Sequence, residues 1–129
     1  MIFGVGTDIV AIARIEDMLA RHGERTAMKL LAESERQAFR ATRRPAVFLA
    51  KRFAAKEALG KALGLGLRDP ATLHNIAVDH DGLGRPRFSL ALPLSEWMQA
   101  RQLSTRLSIS DDGGLALAFV VIEQEHGDG

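Results

Sequence analysis

In the segment Arg52–Gly64, RFAAKEALGKALG, a carboxylate and an ammonium stand one helical turn apart. Projected at about 100° per residue, Glu57 and Lys61 share an arc with Ala50, Phe53, Ala54 and Gly60, all small or apolar. Charge on such a face calls for a partner. Asp8, in the amino-terminal stretch MIFGVGTDIV, is an acidic group in a similarly apolar setting. A strand-end aspartate and a helix-face glutamate make an oxygen-donor set of the kind magnesium takes, with water and substrate phosphate completing its octahedron. The same residues also fit a plainer use, with Asp8 capping the helix that follows and Glu57 pairing with Lys61 at i,i+4.

Other charged groups flank this set. Lys61 precedes Gly64 and Gly66, and Arg52 lies on another arc of the same segment. A cation beside bare backbone can grip a polyanion, although a helix C-terminus is not a phosphate loop and the spacing fails the Walker pattern. A glycine C-cap beside a solvated lysine accounts for the same residues. Arg14, Arg21 and Arg25 fall near one azimuth if the first helix runs on through Gly23, giving a basic stripe suited to an acidic partner or simply a solvated face. The histidines, His22, His74, His80 and His126, show no i,i+4 pairing, so no zinc site is indicated. Asp79-His80-Asp81 abuts a turn, where aspartates serve local hydrogen bonds. Ser108 and Ser110 have no histidine paired with them in sequence, which argues against a Ser-His-Asp hydrolase.

The elements that must carry these residues follow from period. Residues 2–6 are expected to form a short buried strand that ends at Asp8. Helical spacing predicts a helix over 11–22 closed by Gly23, a second over 25–40, and a long one over 47–63 capped by Gly64-Leu65-Gly66. Alternation at Ile76 and Val78 and again over 87–92, around Asp81-Gly82-Leu83-Gly84, predicts a β-hairpin. A short helix over 94–101 follows Pro93. The last two strands flank Asp112-Gly113-Gly114, the second running over 115–122. The fold class is α+β, a small, mostly antiparallel sheet packed on a long central helix.

At 129 residues the chain has the size of one domain, expected over 1–122 with a flexible tail over 123–129. A formal net charge of +1 demands neither nucleic acid nor an anionic membrane. The absence of cysteine removes zinc-thiolate sites and a thiol nucleophile, and fits a reducing compartment. With no basic leader and an aspartate at position 8, the amino terminus is neither a secretory signal nor a membrane span, and a cytoplasmic location is expected.

Three blocks, GVGTDIVAIARI, FLAKRFAAKEALGKALG and the closing LSIS with ALAFVVIE, strongly resemble the short phosphopantetheinyl transferases, the holo-acyl-carrier-protein synthase family. Order, spacing and length agree over essentially the whole chain. The resemblance implies transfer of the 4′-phosphopantetheine arm of coenzyme A to a serine of an apo acyl carrier protein, leaving adenosine 3′,5′-bisphosphate. It assigns magnesium to Asp8 and Glu57 and a phosphate contact to Lys61. Coenzyme A is expected to be lined by Arg52, Gly64, Gly66, Arg85, Pro86, Arg106 and Ser108, and the carrier protein to meet Arg14 and Arg21, with Arg25 completing the stripe. The base that takes the serine proton stays open between Glu57, a solvent-derived group at the metal and water relayed to a phosphate. Gly64-Leu65-Gly66, Gly84-Arg85-Pro86 and Arg106 depart from the family's GTG, GKP and histidine. The resemblance also implies a homotrimer with active sites between subunits, Arg85, Arg106 and Ser108 facing Asp8 and Glu57 across the interface. Two binding modules compete with this enzyme, a catalytically silent carrier-protein-binding relative and a nucleic-acid domain using Arg43, Arg44, Lys51 and Arg52. An aromatic content of 5% with no tyrosine weakens the latter.

Overall fold

Alternation along the first strand decides the architecture. Side chains at every second strand position share a face, so Gly4, Gly6, Asp8 and Val10 point one way and Val5, Thr7 and Ile9 the other. The computed structural model describes residues 1–125, and in it β1 spans Ile2–Ala11. It is followed by α1 (Ile12–His22), α2 (Glu24–Leu30), a 3-10 turn at Glu33–Glu35, α3 (Arg36–Ala41) and α4 (Pro45–Leu63). The second half contains β2 (Ile76–His80), β3 (Pro86–Leu90), α5 (Leu94–Ala100), β4 (Leu103–Asp112) and β5 (Leu115–Gln124).

Two antiparallel sheets form, rather than the one expected: a three-stranded sheet in the order β1-β5-β4 and the β2-β3 hairpin. Helix α4 crosses the inner face of β1 and β5. There Ala116, Ala118, Val120 and Ile122 of β5 are fully buried together with Ala54, Ala58 and Leu59 of α4. Small residues on both surfaces let helix and sheet approach closely. A Cβ placed on Gly6 would lie 2.0 Å from the Ala58 carbonyl oxygen, and one on Gly4 would lie 1.9 Å from that of Ala62. Only glycine fits at these two positions.

The expected short strand is therefore twice as long, and Asp8 lies within it, opposite Ala118. Its inner positions are glycine rather than large apolar residues, which hides the alternation in a hydropathy pattern. The second helix, expected unbroken over 25–40, ends at Leu30, and Leu31 is extended. Lys56 Nζ, 26 residues away, donates to the Leu30 carbonyl at 2.8 Å and so satisfies the buried helix end, while a Glu35 carboxylate oxygen accepts the Ala32 N–H at 2.9 Å in the turn that follows. Strand β5 continues to Gln124, which draws Glu123 and Gln124 of the expected tail into the sheet, while residues 126–129 lie outside the described residues. Among the described residues no helix is long and apolar enough to cross a membrane.

Candidate active site

Because glycines let α4 press on β1, the next inner residue of the strand, Asp8, meets the arc of α4 that carries Glu57 and Lys61. Lys61 Nζ donates to Asp8 Oδ1 at 3.0 Å and to the Thr7 carbonyl at 3.0 Å. Asp8 thus engages α4 and does not cap α1, whose N-cap is Ala11 with no side-chain bond. Burial holds the Glu57 carboxyl above the ordinary glutamate range, and the neighbouring Asp8 charge raises it further, against the pull of Lys61 and Arg14. Two carboxylates that repel each other beside one half-exposed lysine make a receptor for a second cation. The donors are all oxygen, which suits a hard divalent ion. No cluster of three or more protein ligands occurs among the described residues, so water and a substrate must supply the rest of such a shell.

At the end of α4, Gly64 takes the left-handed conformation at φ 77° and closes the helix. The N–H groups of Leu65 and Gly66 both donate to the Gly60 carbonyl, at 3.1 and 2.9 Å, and that of Gly64 to Lys61 at 3.0 Å. Gly64 and Gly66 therefore shape the rim beside Lys61 without offering free amide donors.

A second cluster occupies the opposite side of α4. Arg52 is 8% exposed, and its Nη1 donates to Glu35 Oε2 at 3.0 Å and to the Val78 carbonyl. Its guanidinium lies 4.3 Å from the centre of the Phe48 ring. Arg52, Phe48, Lys51, His80 and Pro86 border a cavity of about 440 Å³. At its rim, Asp111 binds Lys51 at 2.7 Å and Arg44 at 3.9 Å, which holds the Asp111 carboxyl below its usual range, chiefly through the Lys51 bond. An adjoining cleft of about 510 Å³ shares Pro86 and is lined by Arg85, Arg87, Arg106 and Ser108. Arg85 pairs with Asp81 at 3.0 Å and Arg106 with Glu123 at 2.5 Å. Asp81 also accepts the N–H groups of Leu83 and Arg85, so the aspartate at this turn has the local role expected of it. A larger depression of about 660 Å³ between α5 and β4 contains no cationic side chain in its lining.

The basic stripe does not form on one helix. Gly23, at φ 56° and ψ −138°, breaks the run, leaving Arg14 and Arg21 on α1 and placing Arg25 on α2. Arg14 lies 5.7 Å from the centre of the Phe53 ring and belongs to the surroundings of Glu57, whereas Arg21 pairs with Asp17 at 3.3 Å.

Glu35 and Lys56 were not singled out from sequence. A signal existed: Arg52 and Lys56 are like charges at i,i+4 on a helix apolar nearly all round, an arrangement that needs a buried carboxylate. Nothing local identifies Glu35 as that group.

A sequence profile of the 4′-phosphopantetheinyl transferase superfamily matches residues 4–120. The chain belongs to that superfamily. A holo-acyl-carrier-protein synthase of Azoarcus sp. is 58% identical over 123 residues, covering 95% of this chain and 98% of the relative. One of Aromatoleum aromaticum is 53% identical over 124 residues, covering 96% and 99%. Among solved transferases, the holo-acyl-carrier-protein synthase of Neisseria meningitidis superposes with a TM-score of 0.92 at 42% identity, covering 96% of this chain and 100% of that one. The synthase of Helicobacter pylori in complex with coenzyme A superposes at 0.79 with 32% identity, covering 92% and 99%.

Proposed function

We propose that this chain transfers the 4′-phosphopantetheine group from coenzyme A to a serine of an apo acyl carrier protein. The observation that carries the reading is the meeting of Asp8, Glu57 and Lys61 where β1 crosses α4, within a chain whose relatives are named for this transfer. The serine oxygen forms a bond to the phosphorus that bears the pantetheine arm, the bridging bond of the pyrophosphate breaks, and adenosine 3′,5′-bisphosphate leaves with the electron pair. The serine proton passes to a base. Such transfers depend on positioning and on neutralising charge at the phosphoryl and leaving oxygens.

The donor set fits magnesium, which Asp8 and Glu57 would hold and which supplies positive charge beside the pyrophosphate when bound. Lys61, which gives two of its N–H donors to Asp8 and the Thr7 carbonyl, would have the third for a phosphate oxygen. The two basic clefts suit the nucleotide phosphates, and Arg14 and Arg21 on the exposed face of α1 suit the acidic carrier, where they would govern encounter rate and salt sensitivity.

A homotrimer completes the proposal. Val5, Ile9, Leu115, Leu117 and Phe119 form a contiguous apolar patch on the outer face of β1 and β5, each at least 40% exposed. Arg106 and Ser108 of β4 share that face, so covering it with another copy would bring them to a neighbouring subunit's site. Light scattering is expected to give three chains per particle, and a monomer at working concentration would refute the assembly.

Transfer itself is tested by incubating the chain with coenzyme A, magnesium and an apo acyl carrier protein and weighing the carrier intact. A gain of one phosphopantetheine is expected. A carrier that binds but stays unmodified would identify a silent binding module instead.

A further inference from the structure

The Glu35 carboxylate is buried, 2% exposed at the residue level, and accepts from four donors on three segments of the chain. Oε1 takes the Ala32 N–H at 2.9 Å and Lys56 Nζ at 2.5 Å. Oε2 takes the Val78 N–H at 3.0 Å and Arg52 Nη1 at 3.0 Å. Lys56 Nζ also reaches the carbonyls of Leu30 and Leu73, at 2.8 and 3.0 Å. Three acceptors around one nitrogen require three N–H donors, so Lys56 stands here as an ammonium. One carboxylate therefore faces two cations, and the cluster holds one positive charge in excess.

That excess has one outlet. Lys56 is sealed, at 0% exposure. Arg52 borders the 440 Å³ cavity, and its bonds to Glu35 and Val78 are both made through Nη1. The only sealed side-chain polar atom without a partner among the described residues is Arg36 Nε. The remaining guanidinium nitrogens of Arg52 are thus open rather than entombed, while Phe48 covers one face of the plane. Arg52 is fixed along one edge and free along the other.

We infer that Glu35 is a positioning residue for the coenzyme: by clamping one edge of the Arg52 guanidinium it aims the other edge into the cavity, where an anionic oxygen of coenzyme A completes the charge balance. Glu35 does not itself touch the substrate. The inference rests on the transferase reading above and assigns to that reaction a residue outside α4, in the 3-10 turn at Glu33–Glu35, that belongs to neither β1 nor the helix carrying the acidic pair. The Glu35 charge makes its bond to Arg52 a charge-assisted one between buried groups, and its loss would free Arg52 to seek solvent.

Steady-state transfer is measured for the wild-type chain, Glu35→Gln, Glu35→Asp, Arg52→Lys and the Glu35→Asp/Arg52→Lys double variant. Coenzyme A and apo carrier protein are varied in turn, with coenzyme A binding followed by calorimetry. The KM for coenzyme A is expected to rise about tenfold or more in Glu35→Gln, as for loss of a charge-assisted hydrogen bond, and less in Glu35→Asp, which keeps the charge but withdraws it. The KM for the carrier should hold and kcat should move much less. The double variant should be no weaker for coenzyme A than Arg52→Lys, because both changes break one arrangement.

A folded Glu35→Asp with an unchanged coenzyme KM would overturn the inference, as would additive effects in the double variant or equal losses in kcat and both KM values. If Glu35→Gln does not fold, Glu35→Asp and the cycle decide; if neither Glu35 variant folds, the residue serves the fold alone and the inference fails. Wild-type transfer alongside any of these outcomes leaves the transferase reading standing, whereas a wild-type chain that neither binds coenzyme A nor transfers overturns both.

Discussion

Helix α4 carries two charged clusters on different sides, and they are built on opposite principles. In the Glu35–Arg52–Lys56 cluster the acid and the lysine are closed, with each of their polar atoms met at 2.5–3.0 Å, and Arg52 alone keeps an edge toward the cavity. Burial lowers the proton affinity of Lys56, and the Glu35 charge and hydrogen bond oppose that drop. The Asp8–Glu57–Lys61 cluster is open: Asp8 binds a lysine whose side chain is 53% exposed, and Glu57 beside it forms no ion pair among the described residues. Where charge is fully satisfied it fixes geometry, and where it is left partly unsatisfied it waits for a ligand.

The sharpest way to break this contrast is to remove one lysine from each side. Lys56→Met should cost about 3–5 kcal/mol in denaturant unfolding, because it strands part of a buried carboxylate and two carbonyls. Lys61→Met should cost less than about 1 kcal/mol, as for an exposed pair. Equal losses would erase the distinction between closed and open clusters.

Next in size is the effect on transfer. Asp8→Ala should lower product formation on the order of a hundredfold or more, equivalent to about 2.7 kcal/mol of barrier, with the melting temperature little changed. Undiminished turnover would remove Asp8 from the site. Gly6→Ala tests what brings the open cluster together. With its Cβ forced against the Ala58 carbonyl, the variant should lose about 1–3 kcal/mol, and transfer should fall with it as Asp8 is pushed from α4.

The smallest effect is one of pH. A glutamate whose folded proton affinity is raised is destabilising once ionised, so wild-type stability should fall as pH rises from the ordinary glutamate value through the raised one. Glu57→Gln should flatten that fall, matching the wild type in acid and exceeding it at neutral pH, as read from urea midpoints across the range. A wild type that gains stability over that window relative to the variant would reverse the assignment of Glu57 as the strained member.

Local signals were legible in proportion to how local their causes are. Helix α4 was expected over 47–63 and spans 45–63, because Pro45 and Gly64 mark its ends chemically. The Asp81 turn and the Gly113-Gly114 turn were readable for the same reason, and so was the pairing of strands around them. Asp8, Glu57 and Lys61 could be picked out as charges in apolar settings, but the spacing left them between a metal site and a cap with an i,i+4 pair. Their meeting depends on Gly4 and Gly6, residues that a hydropathy pattern scores as breaks. The end of α2 at Leu30 and the role of Glu35 were beyond reach, since both are set by Lys56, 26 and 21 residues away.

Parity along β1 has a consequence for how this chain tolerates change. Odd positions 5, 7 and 9 build the outer patch and even positions 4, 6 and 8 build the contact with α4, so one strand serves two surfaces in alternate steps. A single-residue insertion or deletion between Gly4 and Asp8 would swap them wholesale, turning the carboxylate outward and driving a bulky side chain at the helix backbone. Length in this short stretch is thus more constrained than identity at any one outer position.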